Sequence, residues 1–190
     1  MSGVAYGTGR EALLDAAIHV VASHGLRGLT YRSVAAHAGV THGAVRYHFG
    51  SWANLVEEAL AWSVQRSIGD SALYAGDGRG LDGFATGLGL FVAENPHVQA
   101  FQYELALESR RRPELAEPME RVYDAYRAAV RDALIQVDID DEDLTDLVFA
   151  AIDGIIFRQT AFGNPERTER TVSALRQVLG VFRDHLTTTS

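Results

Sequence analysis

A stretch of cationic and hydrogen-bonding side chains without any carboxylate lies in the first third of this 190-residue chain. No Asp or Glu occurs between Asp15 and Glu57, although the stretch holds three Arg and five of the seven His. The whole chain carries a net charge of -8. This distribution therefore indicates a surface that is kept free of negative charge, where an anion such as a phosphate can approach.

The composition excludes several other chemistries. The chain has no Cys, which excludes disulfides, thiolate metal sites and Cys nucleophiles. It has no His-Glu-x-x-His motif, no apolar run long enough to span a membrane and no secretory signal in its first ten residues. We expect a cytoplasmic protein with no metal ion, no cofactor and no membrane partner.

Apolar residues recur at helical spacing along the chain, and no alternating stretch of useful length favours a β-strand. The pattern predicts an all-α fold with about nine helices. We expect a flexible arm over residues 1–9, a helix-turn-helix over residues 10–50 and a C-terminal helical domain over residues 51–190. Thr8 is predicted to cap the first helix, and Gly25 is predicted to end it.

Three further capping signals divide the predicted N-terminal domain. Thr30 is predicted to cap a short second helix, which Gly39 interrupts. Thr41 is predicted to cap a third helix, and Ser51 a fourth that runs from Trp52 to about residue 74. Two short helices around a glycine-containing turn are typical of a helix-turn-helix.

The C-terminal helices have start signals of their own. Asn95 and Asn164 are each followed by Pro, which is the pattern of a cap and a first helical residue. Pro113 is predicted to open the seventh helix. The acidic loop over residues 138–143 can cap an eighth helix, predicted over residues 142–162.

The second helix of the predicted motif has an inner and an outer side. Val45 and Phe49 are predicted to pack on the core. Arg side chains can hold guanine or a phosphate, and Thr, Tyr and His can donate hydrogen bonds to phosphate oxygens. The residues that this helix leaves for DNA contact are Thr41, His42, Ala44, Arg46, Tyr47 and His48. Whether Arg46 contacts a base or a phosphate stays open. For Tyr47 and His48, the alternative to a phosphate contact is partly buried packing within the protein.

Residues 10–60 resemble the DNA-binding domain of the TetR family of transcriptional regulators. The likeness rests on Ala-Gly-Val-Thr at 38–41, on Gly43, on Tyr-His-Phe at 47–49 and on Gly-Ser followed by Asn-Leu within 50–55. The rest of the chain resembles the family in being acidic and helical and in ending with two apolar helices. The resemblance implies a homodimer that binds a palindromic double-stranded DNA operator, usually as a repressor, and an unknown small-molecule effector in the C-terminal domain.

Members of the family often have Lys at the position of Trp52, where it contacts a phosphate, whereas Trp52 offers an indole N–H. The chain contains no Lys, so Arg and His carry the cationic role. Because neutral His adds little counterion release, we expect a shallower salt dependence of DNA binding than for a Lys-rich relative. Thr30, which is also a helix cap, completes the predicted DNA contacts together with Arg32, Gly43 and Trp52.

The last two helices predict self-association. The eighth is apolar on more than one side, and such a helix needs more than one packing partner. The predicted dimer interface consists of Leu144, Val148, Ile152, Ile155, Leu175, Leu179 and Phe182. The alternative is that the eighth helix is the central helix of one subunit's own bundle.

The resemblance also implies a ligand pocket on helices of the C-terminal domain. The residues expected there are Trp62, Phe84, Phe101, Tyr103, Tyr123, Tyr126, Asp153 and Arg158. Most of them have ordinary core packing as the alternative. For Asp153 and Arg158 the alternative is pairing with charges across the dimer interface, or exposure to solvent.

Two motifs imitate other sites. Residues 78–83 fit the G-x-G-x-x-G pattern but have no preceding strand, and Phe149 stands where a calcium loop beginning at Asp138 needs its bidentate Glu. We interpret both segments as loops.

No catalytic motif is present, so we expect no enzyme. The alternatives are a small all-α hydrolase or transferase and a protein-interaction bundle. A test of DNA binding would distinguish a regulator from both.

Overall fold

The computed structural model describes residues 6–69 and 80–189 and contains, within these ranges, nine α-helices and no β-strand. The all-α prediction is confirmed. Short 3-10 turns precede α2, α5 and α7. The helices are α1 (Tyr6–His24), α2 (Tyr31–Ala38), α3 (His42–Phe49), α4 (Trp52–Gly69), α5 (Leu88–Glu94), α6 (Pro96–Ser109), α7 (Ala116–Ile135), α8 (Glu142–Phe162) and α9 (Pro165–Thr189).

The first helix begins earlier than predicted. Because α1 starts at Tyr6, Thr8 lies inside the helix rather than at its N-cap, and the end of the expected flexible arm is helical. Residues 1–5 of that arm lie outside the described residues. The predicted end of α1 is confirmed: Gly25 has a φ of 69° and donates its N–H to the carbonyl of Val21 at 2.8 Å.

The predicted starts of α8 and α9 are confirmed by their caps. The side chain of Asp141 accepts a hydrogen bond from the N–H of Leu144 at 2.7 Å, and Oδ1 of Asn164 accepts one from the N–H of Arg167 at 2.9 Å. Such side-chain acceptors satisfy N–H groups that have no partner inside the helix.

Two other boundaries differ from the prediction or cannot be compared with it. Pro113 opens a 3-10 turn, and α7 begins only at Ala116. The predicted end of α4 near residue 74 and most of the loop after it fall within residues 70–79, outside the described residues.

The helices form two compact units. The N-terminal unit consists of Met1–Ser67 and Ala100–Glu120, and the C-terminal unit consists of Ile68–Gln99 and Arg121–Ser190. The two units are defined by packing within the chain. They do not test the functional boundary at residue 50 between the helix-turn-helix and the C-terminal domain, which stays a prediction.

Most of the residues named for the dimer interface lie in the core of the C-terminal unit. α5, α7, α8 and α9 enclose this core. This burial agrees with the alternative that α8 is the central helix of one subunit's own bundle, and a dimer interface at these residues stays a prediction. Leu144, Val148, Ile152, Ile155 and Leu179 are at most 9% exposed, and Leu175 and Phe182 pack against them.

A glycine lets α5 approach the start of α9. A Cβ atom on Gly89 would lie 2.8 Å from the carbonyl oxygen of Pro165 and 3.1 Å from Cβ of Thr168. The N–H of Gly89 donates to Oε1 of Glu169 at 3.1 Å. The missing side chain therefore permits both the close packing and the hydrogen bond.

Replacing Gly89 with Ala should lower the free energy of unfolding by about 1–3 kcal/mol, because the added methyl group overpacks a backbone contact. Urea denaturation of the purified variant measures this loss. Gly180→Ala in α9 is the matched control, since the nearest atom to its added Cβ is Leu81 Cδ1 at 4.0 Å. Ala is the better helix former, so the control should be as stable as the wild type or more so. Equal stability of the two variants would contradict the close approach.

Candidate nucleic-acid interface

Reciprocal caps hold the two short helices of the predicted motif. Oγ1 of Thr30 accepts from the N–H of Ser33 at 3.0 Å, and Oγ of Ser33 accepts from the N–H of Thr30 at 2.9 Å. Gly39 ends α2 with a φ of 68°, a left-handed conformation that favours glycine. Thr41 then caps α3 by accepting from the N–H of Ala44 at 3.4 Å. The capping roles predicted for Thr30 and Thr41 are confirmed.

The third helix buries one side and exposes the other. Val45 and Phe49 are 0% and 3% exposed, as predicted for core residues. Tyr47 is 76% exposed, so its hydroxyl stands in solvent. Of the other predicted contacts on this motif, Ala44 and His48 are half-buried, and Thr30, Arg32, Thr41, His42, Gly43 and Arg46 are exposed.

Asp15, at one end of the acid-free stretch, and Glu58, just beyond its other end, are engaged by cations. Oδ1 of Asp15 accepts from Arg66 at 2.7 Å and from the indole N–H of Trp62 at 2.9 Å. Glu58 accepts from the guanidinium of Arg10 and from the amide of Asn54. The negative charge nearest to the motif in sequence is thus partly neutralised inside the N-terminal unit.

Two of the five histidines of this stretch face each other. The rings of His19 on α1 and His37 on α2 are stacked, with centroids 5.1 Å apart and an interplanar angle of 23°. His48 contacts the edge of Tyr47 with centroids 5.7 Å apart. Among the five histidines, His24, His37 and His42 are exposed, whereas His19 and His48 are half-buried.

The indole N–H of Trp52 is used within the protein. It donates to the carbonyl of Leu29 at 3.0 Å, so it is not available to a phosphate in this conformation. The guanidinium carbon of Arg112, however, lies 5.2 Å from the centre of the Trp52 ring, within the range of a cation–π contact. A cation therefore does lie at the start of α4, although another part of the chain supplies it.

Arg112 is a candidate functional residue that the sequence reasoning missed. Arg111 pairs with Glu108 at 2.6 Å, whereas Nε of Arg112 is 3.7 Å from the other oxygen of Glu108. The side chain of Arg112 keeps 34% of its area exposed. The run of three Arg at 110–112 was the only available signal, and no spacing rule connects that run to Trp52.

The residues expected to line a ligand pocket belong to both units. Trp62, Phe101 and Tyr103 lie in the N-terminal unit. Phe84 and Phe101 are fully buried, which agrees with the alternative of core packing. The residues in the C-terminal unit are Phe84, Tyr123, Tyr126, Asp153 and Arg158.

Tyr123 has the most perturbed surroundings among these residues. Its ring meets the edge of Phe149 with centroids 5.8 Å apart. Burial, and then the charge of Asp153, raise the pKa of the Tyr123 phenol. This neighbourhood favours a neutral phenol, and its ligand role stays a prediction.

The two imitating motifs adopt other structures where they are described. Gly80–Gly83 form a 3-10 turn, and Gly78 lies outside the described residues. In the acidic loop, Arg131 pairs with Asp140 at 3.0 Å, and a hydrogen bond from Arg127 holds the pKa of Glu142 below its ordinary value. Within the described ranges, no three His, Asp or Glu side chains are placed to hold a metal ion, and no helix is long and apolar enough to cross a membrane.

Comparison with protein families decides the identity of the two regions. The model "Bacterial regulatory proteins, tetR family" matches residues 13–59, which contain the helix-turn-helix. The model "Tetracyclin repressor-like, C-terminal domain" matches residues 79–181. The chain belongs to the TetR family of transcriptional regulators. The family resemblance inferred from the motif at residues 38–55 is thereby confirmed. Members of this family are DNA-binding regulators and are generally not enzymes.

Solved structures of TetR-family proteins share the fold. A TetR-family regulator from a Rhodococcus species has 24% identity and a TM-score of 0.73, with 92% of this chain and 98% of that chain covered. A TetR-family member from Streptomyces coelicolor has 27% identity and a TM-score of 0.66, with 88% and 97% covered. The multidrug binding protein EbrR, solved with proflavin, has 26% identity and a TM-score of 0.56, with 90% and 98% covered. No curated protein sequence matches this chain significantly.

Trp52→Phe should lower the free energy of unfolding by about 1 kcal/mol, because the carbonyl of Leu29 loses its donor while the ring below Arg112 remains. Trp62→Phe is the comparison variant: it removes an indole N–H that donates to Oδ1 of Asp15, but Arg66 still donates to that oxygen, so the loss of stability should be smaller. Guanidinium denaturation of both variants measures the difference. A Trp52→Phe protein as stable as the wild type would contradict the structural role of this hydrogen bond.

Proposed function

We propose that this TetR-family regulator is a ligand-responsive repressor that binds a palindromic DNA operator as a homodimer. The observation that carries the proposal is the exposed side of α3. This side follows a capped turn, contains Arg46 and Tyr47, and lies in a stretch of sequence without any carboxylate. Such a helix fits the major groove, where its N-terminal residues reach base edges.

The exposed residues divide by the contacts that their chemistry allows. Arg46 can hold guanine through two hydrogen bonds or neutralise a phosphate. Tyr47 can donate its hydroxyl to a phosphate, and Gly43, which has no side chain, permits close approach of the backbone. Arg112, stacked on Trp52, supplies a phosphate-binding cation at the start of α4 in place of the family's Lys.

Exposed apolar residues on α8 and α9 support the dimer. On α8, Leu147 and Phe157 are 65% and 47% exposed, and a Cβ on Gly154 between them would meet nothing within 4 Å. On α9, Val178 and Val181 are each 62% exposed. Spacings of seven and three residues on α8, and of three residues on α9, place each set along one side of its helix. A second copy can bury both sets through a twofold interface, since such an interface uses the same patch on both subunits.

The response to a ligand follows from this assembly. Two recognition helices in successive major grooves must lie about 34–36 Å apart. We infer that an effector bound in the C-terminal region changes this spacing and so lowers operator affinity, which is a coupling between two sites. The proflavin-bound relative EbrR supports a small-molecule effector for this chain too.

The DNA-binding part of the proposal predicts specific losses of affinity. Arg46→Ala should weaken binding to a DNA fragment from upstream of the protein's own gene about tenfold or more, because a base or phosphate contact is lost. Arg112→Gln should weaken binding on all sequences and reduce the salt slope by about one. Arg121→Gln, at an exposed position of α7, is the control and should bind like the wild type.

Mobility shift at several salt concentrations measures these effects. The wild-type slope should be shallower than the value of about -7 that corresponds to eight phosphate contacts. A slope that steep would contradict the low number of cationic contacts. If the upstream fragment were bound no better than unrelated DNA, the operator proposal would fail for this fragment, and the enzyme and interaction-bundle alternatives would return.

The dimer part predicts a change of mass in solution. Leu147→Asp should convert the dimer to a folded monomer, because it places a charge in the centre of the shared apolar surface. Leu107→Asp on α6 is the matched control, since Leu107 is similarly exposed at 59% but lies outside α8 and α9. Light scattering after size-exclusion chromatography distinguishes the two masses, and circular dichroism verifies folding. A dimeric Leu147→Asp protein would contradict this interface.

A further inference from the structure

A cavity of about 230 Å³ lies in the C-terminal unit, where α8 ends and α9 begins. Arg158 lines it from α8, and Arg167 lines it from α9. Neither guanidinium has an ion-pair partner among the described residues, and none of the described residues that line the cavity is Asp or Glu. Two positive charges thus line one cavity, and no carboxylate of the described lining neutralises them, although the chain as a whole has a net charge of -8.

A buried amide adds a hydrogen-bond donor to the same cavity. Gln159 is 5% exposed, and its Oε1 accepts from the N–H of Asn164 at 3.0 Å and from the hydroxyl of Thr168 at 2.8 Å. These two bonds fix which end of the amide is the oxygen. The amide NH2 has no hydrogen-bond partner among the described residues and is not among the atoms sealed from solvent, so it is accessible to a molecule in the cavity.

We propose that this cavity binds a small organic carboxylate. Guanidinium groups match carboxylates through paired hydrogen bonds, and the amide NH2 of Gln159 adds a donor. Ile155 and Phe162 supply an apolar wall, and Phe162 is 76% exposed. The volume is below the range of about 300–1,000 Å³ that is typical of drug-sized ligands, which favours a metabolite-sized molecule with a short apolar body.

The site differs from the pocket expected at the sequence level. Of the eight residues named there, only Arg158 lines this cavity. The two arginines have a second possible role. The exposed apolar surface proposed for the dimer lies on the same two helices, α8 and α9, so a second copy could instead bring carboxylates that pair with these arginines. Anion binding and subunit pairing make different predictions, and neither prediction requires DNA binding.

Isothermal titration of the full-length protein with benzoate, inorganic phosphate and uncharged benzamide tests the proposal. Benzoate should bind with a Kd of about 1 mM or tighter. Benzamide should not bind, because it lacks the charge, and phosphate should bind at least about tenfold more weakly, because it leaves the apolar wall uncovered. Absence of benzoate binding, or equal binding of phosphate, would overturn the proposal of an organic carboxylate.

Variants locate the site and separate the two roles of the arginines. The double variant Arg158→Gln with Arg167→Gln should weaken benzoate binding about tenfold or more, since it removes both charges and keeps hydrogen-bond donors. Arg170→Gln, on the same helix but outside the lining, should bind benzoate like the wild type. Light scattering should give the same mass for the double variant and the wild type. A double variant that binds benzoate normally but loses the dimer would assign the arginines to subunit pairing instead.

Discussion

The separation of carboxylates from the helix-turn-helix is the electrostatic condition on which the rest of this structure depends. A protein of net charge -8 is repelled by DNA unless one of its faces escapes that charge. Here the sequence provides a stretch without Asp or Glu, and in the N-terminal unit Arg66 engages Asp15 and Arg10 engages Glu58.

The N-terminal unit uses the same few contacts for stability and for placing charge. Arg10 pairs with Glu58 and also lies over the ring of Phe49, which anchors α3. Trp52 ties the start of α4 to the carbonyl of Leu29, just before the cap of α2, and its ring carries the guanidinium of Arg112. Arg112 lies three residues beyond the end of α6, so the segment that follows α6 supplies this contact to the start of α4.

Local signals in the sequence were sufficient for much of the fold. Thr30, Thr41 and Asp141 cap helices because each is itself in an extended conformation, from which a short polar side chain accepts from an N–H three residues on. The contacts of Trp52 with Leu29 and Arg112 are tertiary, so no spacing along the chain could disclose them. The sequence could not divide the apolar residues of α8 between core and surface for a related reason: α8 is apolar on several sides, and periodicity does not tell which side faces its own bundle.

Selection of promoter fragments by the purified protein tests the central claim most directly, because the protein itself then chooses its DNA. A dimer with one recognition helix per subunit should enrich an inverted repeat whose half-sites are centred about one helical turn apart, or a small multiple of it. Substitution of either half-site should abolish enrichment. Recovery of fragments with no shared sequence would contradict an operator-binding regulator.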